Sequence, residues 1–423
     1  MRSLPSLTIF RHQGYRHYWI GRQLIAAERQ MVAIAIGWQI YDLSRLTRSI
    51  EESAFMLGLV GLTQFLPILL LSLPGGQAAD RFNRKLILVY SNIIRIGIIL
   101  MLFGASFAET SLAIPLIFLA AFGNGAVSAF TPAAANSLYP RLIPRKELPL
   151  AIAWNSLGFQ AAAVIGPAVG GFLFIGGAKL VYATAAVLTA IGVYFFATVQ
   201  APPHEPVKNV RGLSMIIDGL RYVRDNKLVL GSISLDLVVV FFGGVTALLP
   251  VFARDILHVG SEGLGLLRAA PAFGAAIVAF ALAMSPLARR VGPWLLGSIA
   301  VYGFAMIGFA LSELFWLSMA MLAITGAADM VSMYIRQSII QLATPDGMRG
   351  RVSSVSFIFI AASNELGEFE SGVAARFLGP VGAVLLGGAV SLAAAASWFK
   401  LFPKLAYADR FEVEDSVTNT HAS

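Results

Sequence analysis

Apolar runs long enough to cross a bilayer recur along the whole of this 423-residue chain. A helix needs about 20 mostly apolar residues to span the hydrocarbon core. "FMLGLVGLTQFLPILLLSL" and "LILVYSNIIRIGIILMLFG" are two such runs. With no water in the core, each run must satisfy its own backbone groups, and a single segment does that only as a helix. Twelve spans are expected, over 18–42, 54–78, 86–107, 113–139, 150–175, 180–200, 228–252, 262–287, 294–312, 314–343, 352–375 and 381–402. The expected fold is an all-α membrane protein. Composition agrees, with 57% hydrophobic and 13% charged residues, against about a quarter charged in soluble domains.

The chain has no cysteine, so a disulfide, a thiolate metal site and a Cys nucleophile are excluded. Its five histidines, His12, His17, His204, His258 and His421, lie outside the apolar runs, and no metal site is expected. "MRSLPSLTIFRHQGYRHYWIGR" has no small-residue cleavage site of the kind a secretory signal carries. The basic surplus, 31 Lys and Arg against 23 Asp and Glu, is a topology signal and not a nucleic-acid footprint. With the N-terminus inside, the outer segments hold only Arg45, Arg48, Lys179, Arg254 and Arg376. All other loop bases fall inside, a strong positive-inside bias that places both termini in the cytoplasm.

The longest connection, 201–227, divides six spans (1–200) from six (228–402), leaving a cytoplasmic tail over 403–423. Within it Leu213, Ile216, Ile217, Leu220 and Val223 follow helical spacing, with Arg221, Arg224 and Lys227 placed to snorkel to headgroups. An amphipathic helix in the membrane plane is expected there. The two halves also align with each other. "NSLYPRLIPRKEL" matches "QSIIQLATPDGMR", and the same spacing sets "IGPAVGG" on "LGEFESG", with Gly166 on Gly367 and Gly171 on Gly372. Ordered matches of this kind indicate a duplicated six-helix unit, an arrangement suited to rocking about a central site.

"PGGQAADRFNRK" packs Asp80, Arg81, Arg84 and Lys85 into the turn between spans 2 and 3. Gly75 and Gly76 are expected to allow close helix approach and a sharp exit from the membrane. The stretch resembles the signature loop of the major facilitator superfamily, roughly G-x-L-a-D-R-x-G-R-[KR], through Gly76, Asp80, Arg81, Arg84 and Lys85. Ala78 replaces the usual Leu, and Asn83, tolerant of positive φ, the second Gly. The resemblance implies a conformational gate in which Asp80 meets the segment near Arg351 and Val352 when the inside is closed, with Arg84 bracing the turn. "AAAVIGPAVGGFL" resembles the helix 5 antiporter motif through Gly166, Pro167, Gly170 and Gly171, with Ala153 and Ala162 in place of its first two glycines. "TPAAANSLYPRLIPRKEL" and "TPDGMRGRVSS" are similar to the third drug:proton antiporter branch, which includes the enterobactin exporter and macrolide efflux pumps. Ala121 stands where many drug antiporters carry an Arg. The resemblance covers nearly the whole chain and implies two pseudo-symmetric six-helix bundles, a monomer, and no cofactor beyond the proton gradient.

Ionisable groups inside a span are costly unless paired or wet, so they are functional candidates. Glu28 lies about 14 Å along the helix from Trp19, near mid-depth. Asp236 stands at the equivalent place in the second half. Glu28, Asp236 or both are expected to take up a proton or the substrate's cation; the alternative is that Glu28 pairs with Arg29 or another neighbour and locks packing. Glu365 and Glu368 share a helix face and Glu370 does not; Glu368 joins a proton or cation path or sits near the outer water. Arg95, Arg268, Asp329 and Arg336 are read as ion-pair partners, with Arg336 also a candidate for an anionic substrate. Asn124, Gln160 and Asn364 line the path or bond between helices. The expected function is secondary active, proton-coupled export of an amphipathic small molecule of drug or siderophore type across a bacterial-type inner membrane. Import or flipping of another metabolite or lipid-like substrate is the alternative within transport. A non-transporting receptor and a membrane enzyme are the other classes.

Overall fold

The computed structural model describes residues 7–202 and 212–411; the sequence expectations for 203–211 and 412–423 lie outside the described residues. The first half comprises α1 (Gln13–Ser44), α2 (Ile50–Arg81), α3 (Arg84–Ala105), α4 (Thr110–Leu138), α5 (Leu148–Phe174) and α6 (Ala178–Ala197). A linker helix, α7 (Gly212–Asp225), follows. The second half comprises α8 (Lys227–Phe242), α9 (Val245–Val251), α10 (Ser261–Met284), α11 (Val291–Ala310), α12 (Phe315–Leu342) and α13 (Asp346–Leu401), then a single turn, α14 (Pro403–Ala406).

Among the described residues, ten segments are long and apolar enough to cross a membrane. α1 falls short only because Glu28, Arg29 and Gln30 interrupt its apolar run. α13 is two crossings. A 56-residue helix would run about 84 Å, far beyond any bilayer. Gly379 breaks it with φ +74° and ψ 164°, a conformation that favours glycine, and Pro380 starts the returning arm. α8 and α9 form one crossing, broken at Gly243 and Gly244 and ending in a π-helical turn, Phe252–Ile256. Tyr302 donates to the Gly243 carbonyl at 3.2 Å, which satisfies backbone freed by the break. Twelve crossings result, as the apolar runs predict.

The core clusters show how the halves meet. One draws on both halves: Met31, Ile40 and Leu57 pack with Val245, Phe252 and Leu264. The two clusters nearer the chain termini stay separate. Tyr15, Tyr18, Leu138 and Phe196 belong to the first half, and Leu235, Leu295, Ile339 and Trp398 to the second. The termini share their end of the bundle with most of the loop bases, so it is called the basic end here. The halves are joined at the distal end and part toward the basic end.

Two glycine contacts make the joint. A Cβ on Gly372 would stand 2.7 Å from the Gly58 Cα, and one on Gly171 2.9 Å from the Gly265 Cα. Gly171 and Gly372 are repeat equivalents, and each meets a glycine of the other half, so the seams α5·α10 and α2·α13 are related by the internal twofold. Without side chains the backbones approach to van der Waals contact.

The linker forms the helix its spacing predicts, and part of it packs on α13. Its Val223 is buried against Val352 and Val355 of α13, and Asp218 accepts from Arg351 at 3.0 Å. Tyr222 donates to the Ala343 carbonyl at 2.8 Å. Ile217 and Leu220 stay exposed. The helix has two apolar sides, and protein claims one of them.

Overpacking a seam costs ~1–3 kcal/mol, enough to move a two-state equilibrium by roughly tenfold or more. Gly372→Leu is therefore expected to open the distal end. The cysteine-free chain gives a direct readout through Ser261→Cys, buried beside Gly171. An impermeant maleimide should label that cysteine faster in the Gly372→Leu background. Unchanged labelling would mean the glycine contacts do not hold the end shut.

Candidate functional site

The mid-membrane carboxylates fall into two kinds. Glu28 is fully buried and accepts a 2.8 Å hydrogen bond from Arg95 Nε. Both belong to the first half, α1 and α3. Asp236 forms an ion pair with Arg336 of α12, and Asp329 lies 3.5 Å from the same guanidinium. All three belong to the second half. The acids sit at equivalent places, yet their bases come from non-equivalent helices. Glu28 thus pairs with Arg95 and not with its neighbour Arg29, which reaches Ser128 of α4 at 3.3 Å. Helical geometry explains this, since adjacent residues point about 100° apart around the axis.

Glu365 and Glu368 behave differently, because they face the opposite half. Gln64 of α2 donates to Glu365 at 3.3 Å. Arg29 of α1 is within electrostatic reach of Glu365, and Arg268 of α10 is within reach of both glutamates. Glu368 lines the seam, its Oε2 3.2 Å from where a Cβ on Gly61 would lie. Gln160 of α5 donates to the Ala272 carbonyl of α10 at 2.6 Å, also between halves. Two acids, two bases and two amides therefore meet where the halves join. Arg29 is exposed there although it lies midway along a spanning helix, so it borders the space between the halves. Asn124 is buried inside the first half, and Asn364 is exposed with its amide turned back to the Ile360 carbonyl.

The basic-end stretch is partly as expected. Arg84 braces the turn, donating to the Ala79 and Ser137 carbonyls at 3.1 and 3.3 Å. Gly75 sits hard against α4, where a Cβ would lie 2.3 Å from the Ala129 carbonyl oxygen. Gly76 corrects the expectation. Nothing lies within 4 Å of a Cβ there, and α2 continues unbroken to Arg81. Asn83 also differs, with φ −62° and its side chain capping α3 through the Lys85 N–H at 3.0 Å; its value here is as a cap. Asp80 makes no hydrogen bond or ion pair with a described residue, in keeping with a basic end that stands apart. Arg81 is exposed and Lys85 half-buried.

In α5, Gly166 and Gly170 approach α1, where Cβ atoms would meet the Ala27 carbonyl oxygen and the Met31 Cα at 2.9 Å each. Gly171 and the Pro167 carbonyl meet Gly265 of α10. The motif supplies one of the two distal seams. Beyond it lies a polar latch the sequence did not disclose: Tyr41 and Arg45 of the first half engage Asp255, and Arg254 engages Asp42. The π-turn carries both Arg254 and Asp255. Arg376 also stacks 4.9 Å over the Phe55 ring.

A family model described as transmembrane secretion effector matches residues 5–421. The enterobactin exporter of Citrobacter koseri is 28% identical over 378 residues, 88% of this chain and 86% of that protein. That of an Escherichia coli strain is 29% identical over the same shares. Among solved structures, a bacterial homologue of the human lysosomal transporter Spinster, inward-facing and unoccupied, superposes with a TM-score of 0.73 at 17% identity. It covers 94% of this chain and 99% of that one. A bacterial homologue of the iron transporter ferroportin gives 0.70 at 17% identity, covering 95% and 100%.

Removing one partner of a buried ion pair costs ~3–5 kcal/mol, whereas replacing both by apolar residues of similar volume is far milder. Arg95→Met is expected to lower thermal stability in detergent sharply, and Glu28→Met/Arg95→Met to recover most of the loss. An Arg95→Met protein as stable as the parent would show that the pair does not hold α1 on α3.

Proposed function

The chain belongs to the transmembrane secretion effector family and has the major facilitator fold, and on that premise we propose that it is a proton-driven exporter. Its substrate is an amphipathic small molecule of the siderophore or drug class, a reading the relatives' enterobactin export supports. The protein works as a monomer in a bacterial-type inner membrane, with the basic end and both termini cytoplasmic. In the conformation described the halves part on that side, so substrate loads from the cytoplasm.

The observation that carries the reading is the position of Glu365. It is tied across the halves by the Gln64 amide and by the field of Arg29; the second tie needs an ionised carboxylate, and the first is stronger with one. A proton arriving there removes the charge and weakens the hold between halves. Proton uptake and rocking are thereby one event, as exchange by alternating access requires. Glu368, one turn away and beside Arg268, shares the proton. Glu28 with Arg95, and Asp236 with Arg336, keep each half rigid while the halves move, with Asp329 biasing Arg336. Gln160 and Asn364 add polar lining to the path.

In proteoliposomes, efflux of a substrate identified by the compound sensitivity of a deletion strain should follow an imposed pH gradient. Glu365→Gln/Glu368→Gln should lose that drive yet retain substrate exchange without a gradient. Gradient-driven efflux intact in the double variant would sink the assignment.

A further inference from the structure

A cleft of about 1070 Å³ lies at the basic end, between the α7–α8 junction and the turn that follows α13. Lys227, Lys404 and Arg410 line it together with Tyr222, Leu228 and Phe411. Its acids are engaged elsewhere: Asp225 lies 3.5 Å from Arg224, and Asp409 accepts from the Arg290 backbone N–H at 3.1 Å. The three lining cations have no carboxylate within ion-pair distance among the described residues. Arg289 and Arg410 border a second cleft of about 400 Å³ beside it.

Depth narrows the class of ligand. Lys227 is the first residue of a spanning helix, and Lys404 lies just past the last residue of another. Both stand where the hydrocarbon core gives way to headgroups. Leu228 and Phe411 give the cleft an apolar floor. Cations above an apolar floor at this depth complement a phosphate carrying acyl chains.

We propose that this cleft binds the headgroup of an anionic phospholipid from the leaflet at the basic end. Lys227, Lys404 and Arg410 hold the phosphate, while the acyl chains leave over Leu228 and Phe411. Tyr222 forms part of the wall and donates to the Ala343 carbonyl, so the bound lipid shares a wall with the α12–α13 turn.

Each cation near an anionic headgroup contributes roughly fivefold in affinity, and three on the order of a hundredfold. Thermal unfolding of the full chain in detergent, titrated with phosphatidylglycerol, phosphatidylcholine or glycerol phosphate, tests the assignment. Phosphatidylglycerol should raise the midpoint and the other two should not. Lys404→Gln should weaken that response about fivefold. Lys227→Gln/Lys404→Gln/Arg410→Gln should abolish it while matching the parent in phosphatidylcholine. Equal shifts with both lipids, or a triple variant that keeps the response, would overturn the site. A shift produced by glycerol phosphate alone would make it a soluble-anion site and overturn the lipid. A response seen only after Glu412→Gln/Glu414→Gln/Asp415→Asn would show that the chain's own acidic end occupies the cleft, and would overturn it equally.

Discussion

A charge in the bilayer interior needs a partner, and where that partner sits decides what can move. Glu28 finds Arg95 within its own half, and Asp236 finds Arg336 within the other. Such pairs travel with the body that contains them, because breaking one strands a buried charge at several kcal/mol. Glu365 instead takes its amide donor, Gln64, from the opposite half. A rocking motion that leaves the first two pairs intact must disturb the third. The low dielectric thus sorts the carboxylates into those that stiffen a bundle and one that senses the relation between bundles.

The distal closure follows the same logic in apolar form. Between helices in lipid there is no hydrophobic drive, and association rests on close packing and a few polar contacts. The Gly58–Gly372 and Gly171–Gly265 contacts are close packing, with one side-chain bond across the second, from the Ser261 hydroxyl to the Gly171 carbonyl. In the latch outside them the Asp42–Arg254 pair is cheap to open, because both are partly exposed and exposed ion pairs are each worth about 0–1 kcal/mol; the bond of the buried Tyr41 hydroxyl to Asp255 is the costlier contact. Two conformations of similar free energy require a closure of this kind. A large buried polar interface at the distal end would lock the protein shut.

The spans, their number and the duplication were legible in the sequence because each rests on a period or a composition that the bilayer enforces. The carboxylates were legible as candidates for the same reason: charge inside a span is rare. Their roles were not. Nothing local distinguishes Glu28, which pairs inside its half, from Glu365, which faces across, because only packing decides which helix lies opposite. Arg29 sits beside Glu28 in the chain and points elsewhere. Gly58 and Gly265 belong to no motif, although they lie 207 residues apart, close to the 208 between Glu28 and Asp236, so aligning the small residues of the two halves is the signal that could have found them. Tyr41 and Asp255 stand 214 residues apart with no motif around either, so nothing local points to their bond. Asn83 was readable as a turn residue, but its cap on α3 depends on where α2 ends, and propensity does not fix that to the residue.

The start of α13 lies under the linker helix. The resemblance of the Asp80 stretch to a gate implies that, once the basic end closes, it meets the segment at Arg351 and Val352. In the conformation described that segment is already engaged. Val352 is fully buried beneath the linker helix, and Arg351 is held by Asp218. Asp80, meanwhile, bonds to no described residue. Arg351 has donors enough for two acids, as Arg336 faces both Asp236 and Asp329 in the second half, so its bond to Asp218 does not bar Asp80 from the segment. What the linker helix does in this conformation is fix the start of α13 from one side, through Val223 on Val352 and Val355 and through Asp218 on Arg351.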